Sequence, residues 1–330
     1  MLDNKSILVT GGTGSFGNKF TEFVLKNFNP RRFIVFSRDE YKQYEMSKKF
    51  TGYKTPITYF LGDIRDKGRL MRAFEDIDYV IHAAALKQVP ALEYNPFEAV
   101  KTNILGAQNI VEAAIDKGVK KVVVLSTDKA VNPINLYGAT KLSMEKLFIA
   151  ARSYAGTKNI QFSCVRYGNV VGSRGSIIPY LLELKNNGAK EFPITDPRMT
   201  RFWITLDQGV QLVYRALTDS IGGEIFIPKI PSMSVVDLAK AVDANMGHKI
   251  IGIRPGEKIH ETLINEDEGR NTVDIGDYYV VLPQFNFEIK GDKYEHVKKV
   301  PDGFSYRSNE NDKWMTFDDL KKMIETFKAD

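Results

Sequence analysis

The sequence predicts an α/β protein, a doubly wound parallel sheet joined to a smaller C-terminal unit. Three observations carry that reading. Short apolar runs alternate with helix-like segments up to about residue 167, the rhythm of βαβ crossovers. A glycine-rich turn, Gly11-Gly12-Thr13-Gly14-Ser15-Phe16-Gly17, lies between the first apolar run and the first helical stripe. Beyond residue 168 the pattern turns irregular and richer in Pro and Gly. The expected division is 1–168 for the sheet domain, completed by about 200–228, with 169–199 and 229–330 forming the smaller unit.

Ser6–Thr10 reads as the first strand, and Phe20, Phe23, Val24 and Phe28 give the helical stripe behind it. Between them Gly11, Gly14 and Gly17 follow the spacing G-x-x-G-x-x-G. Such glycines permit a tight turn and let backbone N–H groups meet a pyrophosphate at a helix N-terminus. Gly11, Thr13, Gly14, Ser15, Phe16 and Gly17 are therefore the expected dinucleotide turn. The second strand, Phe33–Phe36, ends in Ser37-Arg38-Asp39. An acidic residue here binds the ribose of NAD in the usual fingerprint, and Asp39 fits that role. Arg38, helped by Ser37 and Lys42, suits the 2′-phosphate of NADP, because a guanidinium forks onto phosphate oxygens. The expectation is NADP.

The third strand, Ile57–Leu61, runs into Gly62-Asp63-Ile64, where Asp63 either accepts from an adenine amino group or caps the next helix. The fourth, Tyr79–His82, runs into Ala83-Ala84-Ala85-Leu86-Lys87. Small residues there let the backbone lie against a cofactor, and Lys87 reaches toward substrate or phosphate. His82 at the strand end reads as a structural histidine. Pro96–Lys117 is expected to be one helix. The fifth strand, Val122–Leu125, is followed by the most informative run, Ser126-Thr127-Asp128-Lys129, with Tyr137 and Lys141 close behind. Tyr137 and Lys141 are one helical turn apart and share a face. A cation beside a phenol favours the phenolate and makes the tyrosine a usable base. Asp128 and Lys129 put one proton donor and one acceptor at a single spot, which suits an elimination. Tyr137–Ala155 is the next helix, Gln161–Tyr167 the sixth strand, Glu224–Ile227 a late strand, Val235–Met246 a helix capped by Ser234, and Thr316–Phe327 the last helix. The polar stretch 290–312 reads as partly mobile.

Three polar clusters occupy the second half: Arg166–Ser176, Thr195–Phe202 and Arg254–Lys258. Arginines on loops bounded by glycine or proline suit phosphate clamping. A formal charge of +5, with basic and acidic residues interspersed, leaves no stripe for nucleic acid. One cysteine, Cys164, allows no internal disulfide and fits a reducing compartment. No run is long and apolar enough for a bilayer, and the N-terminus has no signal-peptide profile. A cytoplasmic protein with no membrane partner and no metal site is expected.

With these residues in hand, the chain resembles the extended short-chain dehydrogenase/reductases of the Rossmann type. Gly11–Gly17, Ser126–Lys129, Tyr137 with Lys141, Arg166–Asn169, Thr200–Phe202 and Arg254–Glu257 narrow the likeness. Within that superfamily it is similar to the inverting UDP-N-acetylglucosamine 4,6-dehydratases of pseudaminic acid biosynthesis. The likeness spans nearly the whole chain. Tyr137 stands where the retaining, often membrane-anchored dehydratases commonly have methionine. The resemblance implies a soluble homo-oligomer, a dimer or hexamer, acting on UDP-N-acetylglucosamine. It implies that Tyr137, Lys141 and Thr127 oxidise carbon 4, and that a neutral Lys129 with Asp128 eliminates across carbons 5 and 6. It adds Ile64, Ala83 and Val170 to the NADP contacts. It places Lys87, Ser126, Thr127, Asn169, Arg174, Thr195, Arg201, Arg254 and Glu257 around the substrate in a smaller substrate-binding domain. A UDP-sugar 4-epimerase is the nearest rival, and it has no use for an acid/base pair at carbons 5 and 6.

Overall fold

The computed structural model describes residues 1–172, 176–285 and 293–329. The strands, in chain order, are β1 (Ser6–Thr10), β2 (Arg32–Ser37), β3 (Ile57–Leu61), β4 (Tyr79–His82), β5 (Lys121–Leu125), β6 (Gln161–Val165), β7 (Asn169–Val170) and β8 (Glu191–Ile194). They continue as β9 (Thr200–Ile204), β10 (Ile225–Pro228), β11 (Ser232–Ser234), β12 (Gly247–Ile250), β13 (Thr262–Ile264), β14 (Thr272–Asp274), β15 (Tyr278–Val281) and β16 (Tyr306–Arg307). Among the described residues nine strands join one sheet in the order β14-β15-β10-β6-β5-β4-β1-β2-β3. From β10 to β3 every pairing is parallel. That order accounts for the composition of β1 and β4. Helices cover both faces, so each residue of these two strands is buried.

The strand order reverses around β1, which pairs with β2 on one side and β4 on the other. Ligands of doubly wound sheets bind outside the carboxyl ends of strands at such a reversal. Thr10, His82 and Leu125 end the strands that open onto this point.

Several sequence expectations are corrected in detail. The run Pro96–Lys117 is helical throughout, but a π segment, Val100–Leu105, interrupts it between Pro96–Ala99 and Gly106–Lys117. The π turn brings Asn103 inward, where its amide bonds the Leu86 N–H and carbonyl, each at 2.9 Å, and the Thr140 hydroxyl at 3.1 Å. Tertiary bonding thus overrides the 3.6-residue period. The helix expected to reach Ala155 is Leu136–Ala150, and a 3₁₀ turn, Ala151–Tyr154, completes it.

β14 and β15 fall in the stretch assigned to the smaller unit, yet they extend the main sheet, β15 antiparallel to β10 and β14 antiparallel to β15, and bury Val273, Val280 and Val281 there. Part of the tail 290–312 lies outside the described residues. The rest is pinned by buried Tyr294, Tyr306 and Ser308, and the Tyr306 hydroxyl donates to Ile230 O at 2.8 Å.

A second apolar core gathers Ile178, Leu181, Phe192, Trp203, Leu238 and Leu320. It lies under the small sheet β11-β9-β7 and the helices Ile177–Asn186, Val235–Val242 and Phe317–Ala329. Ser234 caps the second of these helices by accepting from the Asp237 N–H at 3.0 Å. No described helix is long and apolar enough to cross a membrane.

Candidate active site

A cleft of about 880 Å³ opens at the carboxyl ends of the parallel strands. One end is built by the glycine turn. Gly11 has φ +64°, and a Cβ there would lie 2.8 Å from the Ala84 backbone. A Cβ on Gly17 would meet Gly12 O at 2.2 Å, so the first turn of the helix Ser15–Asn27 lies against the loop itself. That helix begins with no side-chain cap and no acidic residue in its first turn. Its N–H groups and dipole therefore face an anion without competition.

All the residues expected to contact the cofactor line this cleft: Gly11, Thr13, Gly14, Ser15, Phe16, Gly17, Ser37, Arg38, Asp39, Lys42, Asp63, Ile64, Ala83, Tyr137, Lys141 and Val170. Asp39 is also occupied as the N-cap of Glu40–Lys49, accepting from the Lys42 N–H at 2.9 Å. Asp63 is not a helix cap. That position goes to Asp66, which accepts from the Arg69 N–H. Asp63 instead holds Arg65, at 2.7 Å, and Arg38, at 3.4 Å. Their charges and the Arg65 N–H outweigh partial burial and keep its carboxyl below the usual range. His82 is structural: its Nδ1 meets Thr10 Oγ1 at 2.7 Å, the ring stacks on Phe148, and burial pushes its pKa down to about 3.

The catalytic candidates follow β5. Thr127 is the cap of the short 3₁₀ turn Asp128–Ala130 and donates to Asp128 Oδ1 at 2.9 Å. Asp128 is fully buried, and its Oδ2 has no hydrogen-bond partner. Lys129 Nζ lies 3.0 Å from Asp128 Oδ1 and 3.4 Å from Glu261 Oε1. Burial favours loss of the Lys129 proton, but the two carboxylates outweigh it and the net shift is upward. A base role for Lys129, which needs the neutral amine, therefore requires that its proton first be handed on.

Tyr137 is pushed up to about 12, chiefly by burial and also by Asp128, against the Lys129 charge and a hydrogen bond from Thr127. Lys141 is pulled down to about 8 by burial. Its Nζ donates to Leu125 O at 2.6 Å and contacts Met144 Sδ at 3.1 Å. The Lys129 charge opposes the rise of Tyr137, while the Lys141 ammonium is held one helical turn away by Leu125 O.

Of the expected substrate contacts, Lys87, Ser126, Thr127 and Asn169 line the cleft, whereas Thr195, Arg201, Arg254 and Glu257 stand outside its lining. Arg174 lies outside the described residues. Thr195 Oγ1 contacts Met199 Sδ at 3.0 Å. Arg201 is buried and donates to the carbonyls of Thr200, Lys258 and Ile259. Arg254 Nε donates to Glu257 Oε1 at 2.9 Å. Their turn is fastened to the catalytic segment, because Asn135 donates to Gly256 O at 2.8 Å and Lys258 Nζ donates to Val131 O.

Arg166, read as a phosphate clamp, is fully buried between Glu145 and Glu268 and offers no free donor to a phosphate. Arg198 pairs with Asp196 at the surface. Sequence reasoning missed Glu261 and Lys258 beside Lys129, and also Thr102, Thr205 and Gly209 in the lining. Only Thr205 left a signal, a capping box with Gln208.

Against known proteins, a family model described as "Polysaccharide biosynthesis protein" matches residues 7–283. An inverting UDP-N-acetylglucosamine 4,6-dehydratase of Campylobacter jejuni is 52% identical, over 98% of this chain and 98% of its own. A UDP-glucose 4-epimerase of Rickettsia bellii is 43% identical over 98% and 96%. Among solved structures, Pen from Bacillus thuringiensis superposes with a TM-score of 0.91 at 38% identity, over 99% of both chains. The glycine turn, the Ser126–Lys129 run with Tyr137, and matches over almost the full length agree: the chain belongs to the polysaccharide biosynthesis protein family of extended short-chain dehydrogenase/reductases.

Proposed function

We propose that this chain is a UDP-N-acetylglucosamine 4,6-dehydratase that works through bound NADP and inverts carbon 5. The product would be UDP-2-acetamido-2,6-dideoxy-β-L-arabino-hex-4-ulose, the first intermediate of pseudaminic acid biosynthesis. The observation that carries the reading is the Asp128–Lys129 pair, 3.0 Å apart and sharing the cleft with Tyr137, in a chain 52% identical to a dehydratase of that type.

The cleft fits a dinucleotide. The uncapped helix start and the glycine turn suit the pyrophosphate, and Arg38 with Ser37 and Lys42 suits a 2′-phosphate. The chemistry a bound nicotinamide supplies is hydride storage: carbon 4 gives the hydride up and carbon 6 receives it back, with no net redox change. Lys87, Ser126, Thr127 and Asn169 would hold the sugar and diphosphate. The loops of Arg174, Thr195, Arg201, Arg254 and Glu257 would hold the uridine part from the smaller unit.

The protein's own groups then move protons. Tyr137 takes the 4-hydroxyl proton, which requires its phenolate; the Lys129 ammonium and Thr127 favour that form against burial. A ketone at carbon 4 acidifies the hydrogen on carbon 5. If the Lys129 proton crosses the 3.0 Å bond to Asp128, it leaves a neutral amine and a carboxylic acid side by side. Lys129 then takes the carbon-5 proton, and Asp128 protonates the 6-hydroxyl, which departs as water. The pair returns to ammonium and carboxylate. A solvent proton delivered to carbon 5 from the opposite face inverts it, and Tyr137 gives up the 4-hydroxyl proton to solvent to close the cycle. A homo-oligomer in the cytoplasm completes the reading.

The test is to incubate the protein with UDP-N-acetylglucosamine in deuterated water and follow it by NMR. A methyl signal at carbon 6, a ketone or its hydrate at carbon 4, deuterium at carbon 5 and L-arabino ring couplings are expected, with no net NADPH. Lys129→Ala should block the methyl signal, and Tyr137→Phe the earlier oxidation. A 4-epimer with its 6-hydroxyl intact would make the chain an epimerase, and retained configuration at carbon 5 would place it with the retaining dehydratases.

A further inference from the structure

Glu261 has no part in the chemistry above, yet its surroundings are unusual. The residue is 2% exposed. Its backbone is fixed from both sides by Ser308, whose hydroxyl accepts from the Glu261 N–H and whose N–H donates to the Glu261 carbonyl, each at 2.9 Å. Oε1 lies 3.4 Å from Lys129 Nζ and 3.9 Å from Arg201 Nε, and Oε2 lies 3.8 Å from Lys258 Nζ. Oε2 is buried without a hydrogen-bond partner. A buried carboxylate ringed by three cations but bonded closely by none acts through its field more than through fixed hydrogen bonds.

Two of those cations are tied down elsewhere: Arg201 to three carbonyls, and Lys258 to Val131 O. Lys129 is the one whose other polar partner is a carboxylate that must accept its proton. We infer that Glu261 is a positioning residue for Lys129, a second carboxylate that holds the ammonium beside Asp128 and sets how readily it gives up its proton. Arg201 and Lys258 lie against Glu261, whereas Asp128 is the carboxylate in hydrogen-bond contact with Lys129, so the proton moves between Lys129 and Asp128. The groups facing Lys129 are Asp128, Glu261, Arg201, Lys258, Lys87 and Tyr137. Asp128 and Glu261 raise its proton affinity, as Tyr137 does only once it is a phenolate, while the three cations lower it; the upward shift of Lys129 agrees with the two carboxylates beside it.

The inference deepens the dehydratase reading, but its first test needs no turnover. Brief acetylation at fixed pH, read by mass spectrometry against the exposed Lys48, reports the neutral fraction of Lys129 in the whole folded protein. Glu261→Gln should lower the pKa of Lys129 by about one to three pH units, raising its labelling about tenfold or more. Glu261→Asp, which keeps the charge, should remain near the parent. Lys258→Met strips a cation from the same cluster and should move Lys129 the other way, which gives a second readout if the glutamine variant does not fold. In turnover, the acidic limb of kcat should move to lower pH in Glu261→Gln, with KM changed by less than about threefold. Unchanged Lys129 labelling in folded Glu261→Gln, equal effects of Gln and Asp, or a Lys258→Met shift of the same sign as Glu261→Gln would overturn the inference. Failure of the dehydratase reading would appear separately, in the products formed in deuterated water.

Discussion

Arg38 is half-exposed just past the end of β2 and meets Asp63 at 3.4 Å, a contact loose enough to yield to a phosphate. Ser37 beside it is buried and accepts from the Gln43 amide at 3.0 Å, which leaves its hydroxyl hydrogen available. If this end of the cleft takes a 2′-phosphate, the protein binds NADP more tightly than NAD, and Arg38→Ala erases most of the difference. Loss of one charge-assisted contact costs about 1.5–3 kcal/mol, or roughly 10- to 150-fold in affinity. Titration calorimetry with both dinucleotides checks this, and equal affinities in the unmutated protein would sink it. At this scale the sequence speaks clearly wherever chemistry is local. Asp128, Lys129 and Tyr137 fall within twelve residues of the end of β5, so their proximity is legible in the chain. Glu261 reaches Lys129, and Lys258 reaches Glu261, only because the segment before β13 folds back over the cleft. No spacing announces such a partner, and for that reason the proton affinity of Lys129 was not legible in the chain.

Among the elements, the glycine turn is the one whose sequence most tightly limits its geometry, though its three spaced glycines are not equivalent. Gly17 has no room for a side chain, since a Cβ would sit 2.2 Å from Gly12 O and 2.4 Å from Gly12 Cα. Both contacts are backbone and cannot swing aside. At Gly14 the nearest atom to a Cβ is Gly11 O at 3.2 Å, and the backbone has φ −73°. Gly17→Ala should therefore destabilise the protein by about 1–3 kcal/mol through a forced separation of helix and loop, and weaken dinucleotide binding with it. Gly14→Ala should cost less in both respects. Thermal melts with and without dinucleotide separate the two, and equal losses would mean that close packing is not what the glycines serve. Strands β1 to β5 lie within a residue of where their apolar runs place them; in the interior strands this is because buried parallel strands have little other composition available, and the edge strand β3 is apolar though only partly covered. The π segment Val100–Leu105 was not legible. Its apolar positions keep the helical period, and it is the bonding of Asn103 to Leu86 and Thr140 that sets the extra residue per turn.

For the whole molecule, the question is how the main sheet, the helix bearing Tyr137 and Lys141, and the segment after β13 are kept in one arrangement. Arg166 answers part of it. It follows β6, is fully buried, and reaches Glu145 on the helix Leu136–Ala150 at 2.6 Å and Glu268 at 2.9 Å, while its Nη1 donates to Leu263 O at 2.8 Å. The two carboxylates hold the guanidinium proton against burial, and its pKa is raised. In the sequence Arg166 sits beside Gly168 and Asn169 and reads as a loop residue for phosphate, because neither its burial nor its partners are local. The strands β14 and β15 escaped for a related reason: they are short and antiparallel, without the crossover helix that marks the others. Removing one member of a buried ionic triad leaves the others uncompensated, which costs about 3–5 kcal/mol, whereas replacing the set with apolar groups is close to neutral. Arg166→Met should therefore lower the urea midpoint by that free energy with an unchanged slope. Adding Glu145→Met and Glu268→Gln, the latter keeping the capping bond to the Asn265 N–H, should restore most of it. A phosphate-clamping arginine would behave differently, weakening UDP binding while leaving the midpoint in place, and that result would return Arg166 to the substrate.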